Sequence, residues 1–140
     1  MYQFLTKEAL HQKSPEEITA LLYEACCSNL ESAIANIEEK EYMAANESLK
    51  KANDIIHRLG AGINYEAGII ADQLETIYNY MADKIIEANY TKNTKLIQEV
   101  LTIVTELMSS WNQAMKTKTD LLTKQGKMKA NAYERNVRFE

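Results

Sequence analysis

The sequence predicts an all-α chain: an antiparallel up-down four-helix bundle with a flexible N-terminal arm and a basic C-terminal tail. Apolar residues recur at three- and four-residue intervals in four successive stretches, and no stretch alternates with the period of a strand. Ala, Leu, Ile, Glu, Lys, Asn and Met dominate the composition, which favours helix. Four glycines and one proline are too few for the turns of an all-β chain. A length of 140 residues suggests one domain with a real core. The arm is expected at 1–13, the bundle at 14–125 and the basic tail, disordered or a helix extension, at 126–140.

The first helix has the clearest start. Ser14 suits an N-cap, Pro15 suits the first helical position, and Glu17 completes a capping box three residues after Ser14. From there Ile18, Leu22, Cys26, Leu30, Ile34 and Ile37 fall on one face, and Glu38-Glu39-Lys40-Glu41 turns the chain. The second stripe is Ala45, Leu49, Ala52, Ile56, Leu59 and Ile63, and Gly60, Gly62 and Gly68 loosen the next connection. The third is Ile70, Leu74, Ile77, Met81, Ile85 and Ala88, with a turn at Asn89 to Asn93. The fourth starts near Thr94 and runs to about Lys124, where Gly126 opens the tail. Helices of this size are roughly 30–45 Å long, and short loops make sequence neighbours antiparallel.

The fourth helix has more apolar surface than one bundle position needs. Ile97, Leu101, Val104, Met108, Trp111 and Met115 form one stripe, and Leu96, Val100, Ile103, Leu107 and Ala114 form another. One stripe packs a bundle. The second needs a neighbouring helix, the arm or a partner, because leaving it wet forgoes roughly 1.5–3 kcal/mol per large side chain. The eight tyrosines include Tyr78, Tyr80 and Tyr90 near this region, and a tyrosine suits both a core edge and a surface that is wet when empty and dry when filled. The arm offers Tyr2, Phe4, Leu5, Ala9 and Leu10 as a removable cover.

Charge and composition exclude several functions. Residues 1–115 carry nine Lys/Arg against seventeen Asp/Glu, net −8, which argues against nucleic acid as the main ligand. Residues 116–140 carry seven Lys/Arg against three Asp/Glu, net +4, and could attract an acidic partner or surface or be a solvated end. No apolar run reaches about 18 residues, so no membrane insertion is expected, and the N-terminus lacks the pattern of a signal peptide. Cys26 and Cys27 point about 100° apart on a helix and are poorly placed to pair, which fits a reducing cytoplasm. No catalytic group, metal set or cofactor motif emerges: Asp54 and His57 are one ligand pair, the other histidine is His11 in the arm, and Gly60-Ala61-Gly62 lacks the rest of a phosphate loop. An enzyme is not expected.

Four groups of residues in order resemble the flagellar secretion chaperones that bind flagellin, the FliS family. They are Pro15, Glu17, Ile18, Leu22 and Tyr23; Ala52, Ile55, Ile56 and Leu59; Tyr78, Tyr80, Met81, Ala88 and Asn89; and Glu99, Val100, Trp111 and Ala114. The resemblance runs from Ser14 to about Lys116. It implies a cytoplasmic chaperone that binds the disordered C-terminal segment of flagellin, prevents early polymerisation and aids delivery to the flagellar type III export apparatus. It also implies that the flagellin segment wraps around the bundle, refolds partly into helices and competes with the N-terminal arm. In this chain the arm carries Tyr2 and Phe4 where members often have spaced tyrosines, and the tail after Gly126 is outside the recognisable pattern.

On this reading an amphipathic client segment lies in grooves flanking the second, third and fourth helices. The expected groove residues are Ile55, Tyr78, Tyr80, Leu96, Val100, Ile103 and Leu107, with Tyr2, Phe4, Leu5 and Leu10 as the lid. The expected core is Leu22, Leu30, Leu49, Ile56, Leu74, Met81, Leu101 and Trp111. A monomer is expected. The alternative is a structural or adaptor bundle that covers its excess stripe by self-association.

Overall fold

The computed structural model describes residues 12–138, with side-chain surroundings as far as Met128. The lid residues Tyr2, Phe4, Leu5 and Leu10 lie outside the described residues. Among the described residues four α-helices follow one another: α1 (Pro15–Glu38), α2 (Tyr42–Ala61), α3 (Ile69–Thr91) and α4 (Thr94–Arg138), with a 3-10 turn at Tyr65–Ala67 before α3. Among the described residues there is no strand.

The starts of α1, α3, α4 and the 3-10 turn have local causes. Ser14 Oγ accepts the Glu17 N–H at 3.1 Å, which is the capping contact expected. The Glu17 carboxylate meets Lys13 at 3.7 Å. Asn64 Oδ1 accepts the Glu66 N–H and so opens the 3-10 turn. Asn93 Oδ1 accepts the Lys95 N–H where α4 begins. Gly68 precedes α3 with φ 66° and ψ −124°, a backbone conformation that only glycine adopts without strain. The left-handed positions in the other two turns are held by Lys40 (φ 59°) and Lys92 (φ 53°), not by glycine.

The described residues up to Met108 form one compact unit. Within it α1 packs on α2 and α2 on α3. The Cys27 Sγ of α1 lies 3.8 Å from the Thr105 hydroxyl of α4, and Tyr80 of α3 donates to the Glu99 carboxylate of α4. These contacts close the ring of an antiparallel four-helix bundle. Leu30, Leu49, Ile55, Ile56, Met81, Ile85, Ile97, Val100 and Val104 fill the interior. Small side chains (Ala33, Ala45, Ala52, Ala71, Ala88) are buried beside them and let the helices approach closely. Leu22, Leu74 and Leu101, expected in the core, are only half-buried.

Ser109–Glu140 form the second compact unit, which contains Trp111. The helix runs past Gly126 to Arg138, so the tail residues extend α4. A glycine inside a helix costs about 1 kcal/mol relative to alanine. The flanking Lys, Gln, Met and Ala are strong helix formers, and no proline interrupts them.

Candidate functional site

The exposed residues of α4 follow from its phase. Ile97, Val100 and Val104 are fully buried, so the inward line runs between the two apolar stripes of the sequence. Leu101 and Met108 form one shoulder of that line, and Leu96, Ile103 and Leu107 form the other; all five are half-buried. The second stripe is therefore not a free face. It is one edge of a wide apolar face whose centre is sealed.

Hydrogen bonds show what each shoulder borders. Thr105, on the side of Leu101 and Met108, meets Cys27 of α1. Glu99 lies one turn from both Leu96 and Ile103, and it accepts the Tyr80 hydroxyl of α3. The shoulder Leu96–Ile103–Leu107 thus lines the α3–α4 side of the bundle, with the exposed Tyr80 across from it. The Glu99 carboxylate as acceptor raises the Tyr80 phenol above its ordinary pKa, and the Lys84 ammonium lies 5.5 Å from the ring centre.

The other three expected groove residues are placed differently. Ile55 and Val100 are completely buried, and Tyr78 is 5% exposed. Ile55 and Ile56 are both covered because α2 is flanked by α1 on one side and α3 on the other. The Tyr78 hydroxyl lies 2.5 Å from that of Tyr23 of α1, in the interior. Burial raises the pKa of both phenols, Tyr78 the more strongly, and its bond to Tyr23 adds to the rise. This pair joins two of the sequence markers, the Leu22-Tyr23 step and the Tyr78-x-Tyr80-Met81 run.

A second opening lies between the start of α2 and the end of α3. Two adjoining cavities of about 390 and 480 Å³ share Asn46 and Lys92 in their walls. Their rims carry Met43, Ile86 and Tyr90, which are 87%, 59% and 91% exposed. Inside, Asn89 donates to Asn46 Oδ1 at 2.7 Å, and Lys92 donates to the Asn89 carbonyl at 2.7 Å. Asn53 Oδ1 in the same wall is buried and accepts no hydrogen bond from the protein. Sequence reasoning missed this cleft. Its signal was the pair Ile86 and Tyr90, one turn apart and off the core stripe of α3.

The cysteines are free and buried, and burial pushes both thiols up from their ordinary pKa. His57 and Asp54 are solvent-exposed. Among the described residues no cluster of three or more His, Cys, Asp or Glu could hold a metal ion, and no helix is long and apolar enough to cross a membrane.

A family model described as "Flagellar protein FliS" matches residues 1–118. The chain belongs to the FliS family. Among its relatives, the flagellar secretion chaperone FliS of Bacillus subtilis (strain 168) is 28% identical over 116 residues, covering 83% of this chain and 86% of the relative. The flagellar secretion chaperone FliS of Salmonella typhimurium (strain LT2) is 30% identical over 113 residues, covering 79% and 84%. A solved structure described as a flagellar chaperone from bacteria superposes with a TM-score of 0.69 at 17% identity, covering 83% of this chain and 94% of that one, which supports the same fold. FliS proteins are flagellar secretion chaperones, not enzymes.

Proposed function

We propose that this FliS protein is an export chaperone for flagellin. In the cytoplasm it binds the disordered C-terminal segment of flagellin, holds subunits back from premature polymerisation and aids their delivery to the flagellar type III export apparatus. The observation that carries this reading is the half-covered α4 shoulder Leu96–Ile103–Leu107 with Tyr80 across from it. Such a row keeps enough apolar surface in water to reward an incoming amphipathic segment, while its sealed centre keeps the empty bundle stable. The α2–α3 cleft extends the apolar surface to Met43, Ile86 and Tyr90, which suits a client that wraps around the bundle. Asn53 Oδ1 offers an acceptor for a donor on that client.

The apolar N-terminal residues Tyr2, Phe4, Leu5 and Leu10 compete with the client for the groove. The free protein is a monomer, which light scattering at several concentrations checks. Titration calorimetry with a flagellin C-terminal peptide tests the main reading. Binding is expected, and Leu96→Asp or Leu107→Asp weakens it at least tenfold with the helical circular dichroism retained. No binding at about 10 μM peptide would sink the proposal. Deleting residues 1–12 strengthens binding; unchanged or weaker affinity would refute the lid.

A further inference from the structure

The second unit has a pattern of its own. Basic residues in it repeat at intervals of eleven: Lys116, Lys127 and Arg138; Lys118 and Lys129; Lys124 and Arg135. Trp111, Leu122 and Tyr133 repeat at the same interval. Eleven residues are three helical turns to within roughly 20°, so on a straight helix each row stays in line. The backbone is helical as far as Arg138, which makes these rows continuous. Leu121, Leu122 and Met128 are 55%, 59% and 62% exposed. Lys116, Lys124 and Lys127 are exposed, as is Asp120 on the same polar side.

We propose that α4 beyond Ser109 is an interfacial helix that docks on the surface of an anionic phospholipid bilayer. Charge selects this occupant: residues 116–140 are net +4, whereas the rest of the chain is net −8. A helix with Leu121, Leu122 and Met128 on one side, Lys116, Lys124 and Lys127 on the other and low overall hydrophobicity lies in the headgroup plane and does not span the membrane. The family match ends at residue 118, so most of this surface lies outside the shared part of the chain.

The test is co-sedimentation of the full chain with vesicles of pure phosphatidylcholine and of an equimolar phosphatidylcholine–phosphatidylglycerol mixture. Binding is expected to the anionic vesicles alone and to weaken with added salt. Each cationic side chain near the surface multiplies affinity about fivefold, so the triple variant K116Q/K124Q/K127Q lowers it roughly 100-fold. The variant L121D/L122D abolishes sedimentation with the charge rows intact; circular dichroism confirms that both variants stay helical. Equal binding to neutral vesicles would overturn the proposal, as would undiminished binding by the triple variant. With vesicle binding absent, a complex with polyglutamate or a dimer that depends on these lysines would overturn it in favour of an acidic protein or a second copy.

Discussion

Tyr78 decides between a client-contacting and a structural role for a residue singled out by both reasoning from the sequence and the family pattern. Its ring is 5% exposed, that of Tyr23 is 3% exposed, and their hydroxyls meet at 2.5 Å. Tyr78→Phe keeps the ring and its packing and removes one hydroxyl. A typical net hydrogen bond contributes about 1 kcal/mol, so the variant is less stable by about 1–1.5 kcal/mol. With a urea dependence of roughly 2 kcal/mol per M, the unfolding midpoint falls by about 0.5–0.75 M. Tyr23→Phe has a similar effect, and the double variant is less damaged than the sum of the two by about 1 kcal/mol, the signature of a shared bond. The assay is urea unfolding followed by circular dichroism, run beside calorimetry with the flagellin peptide. Flagellin affinity stays within about twofold, because the hydroxyl faces Tyr23 and not the groove. A tenfold loss of affinity with unchanged stability would refute this and return Tyr78 to the binding surface.

Two further outcomes test the local physics. Gly68→Ala destabilises the bundle by roughly 1–3 kcal/mol through backbone strain alone: its φ is 66° and a Cβ there meets no atom within 4 Å. Gly126→Ala, also in open space but inside α4, instead raises helical circular dichroism. Burial raises the Cys26 thiol from its ordinary value of 9.0, so above that pH the unfolded chain loses a proton that the folded chain keeps. The thiol's stabilising contribution is intact below pH 9 and is lost as pH climbs, by about 1.4 kcal/mol per unit. Urea unfolding across alkaline pH therefore has a steeper decline for the native chain than for Cys26→Ala, and parallel declines would contradict this.

The helix count and the start at Ser14 were legible because capping chemistry and periodicity are local properties. The tight turns at Lys40 and Lys92 were less so, since each left-handed residue is a lysine and carries no glycine signal. The phase of α4 was beyond the sequence. Adjacent apolar residues such as Val100 and Leu101 differ by about 100° around a helix, and only the neighbouring helices decide which one points inward. Here α1 and α3 turn Val100 into the core and leave Leu101 on a shoulder, the reverse of the expected assignment. Ile55 and Tyr78 are covered for the same reason: the neighbouring helices decide it. Tyr80, Leu96, Ile103 and Leu107 share one side of the bundle because their positions agree with Glu99, which the Tyr80 bond fixes.

α4 carries two different apolar patterns in one continuous helix. Up to Met108 the buried positions 97, 100 and 104 are flanked by shoulders on both sides, the design of a helix that packs and still offers an edge. Beyond Ser109 the pattern narrows to single rows beside lysines. If the two halves have separate partners, substitutions must separate them. The variant K116Q/K124Q/K127Q keeps flagellin-peptide affinity within about twofold while losing vesicle binding, because none of the three lysines belongs to the bundle unit. Leu96→Asp does the reverse. Loss of both activities in either variant would mean that α4 acts as one surface, and the division at Met108 would then describe packing without describing function.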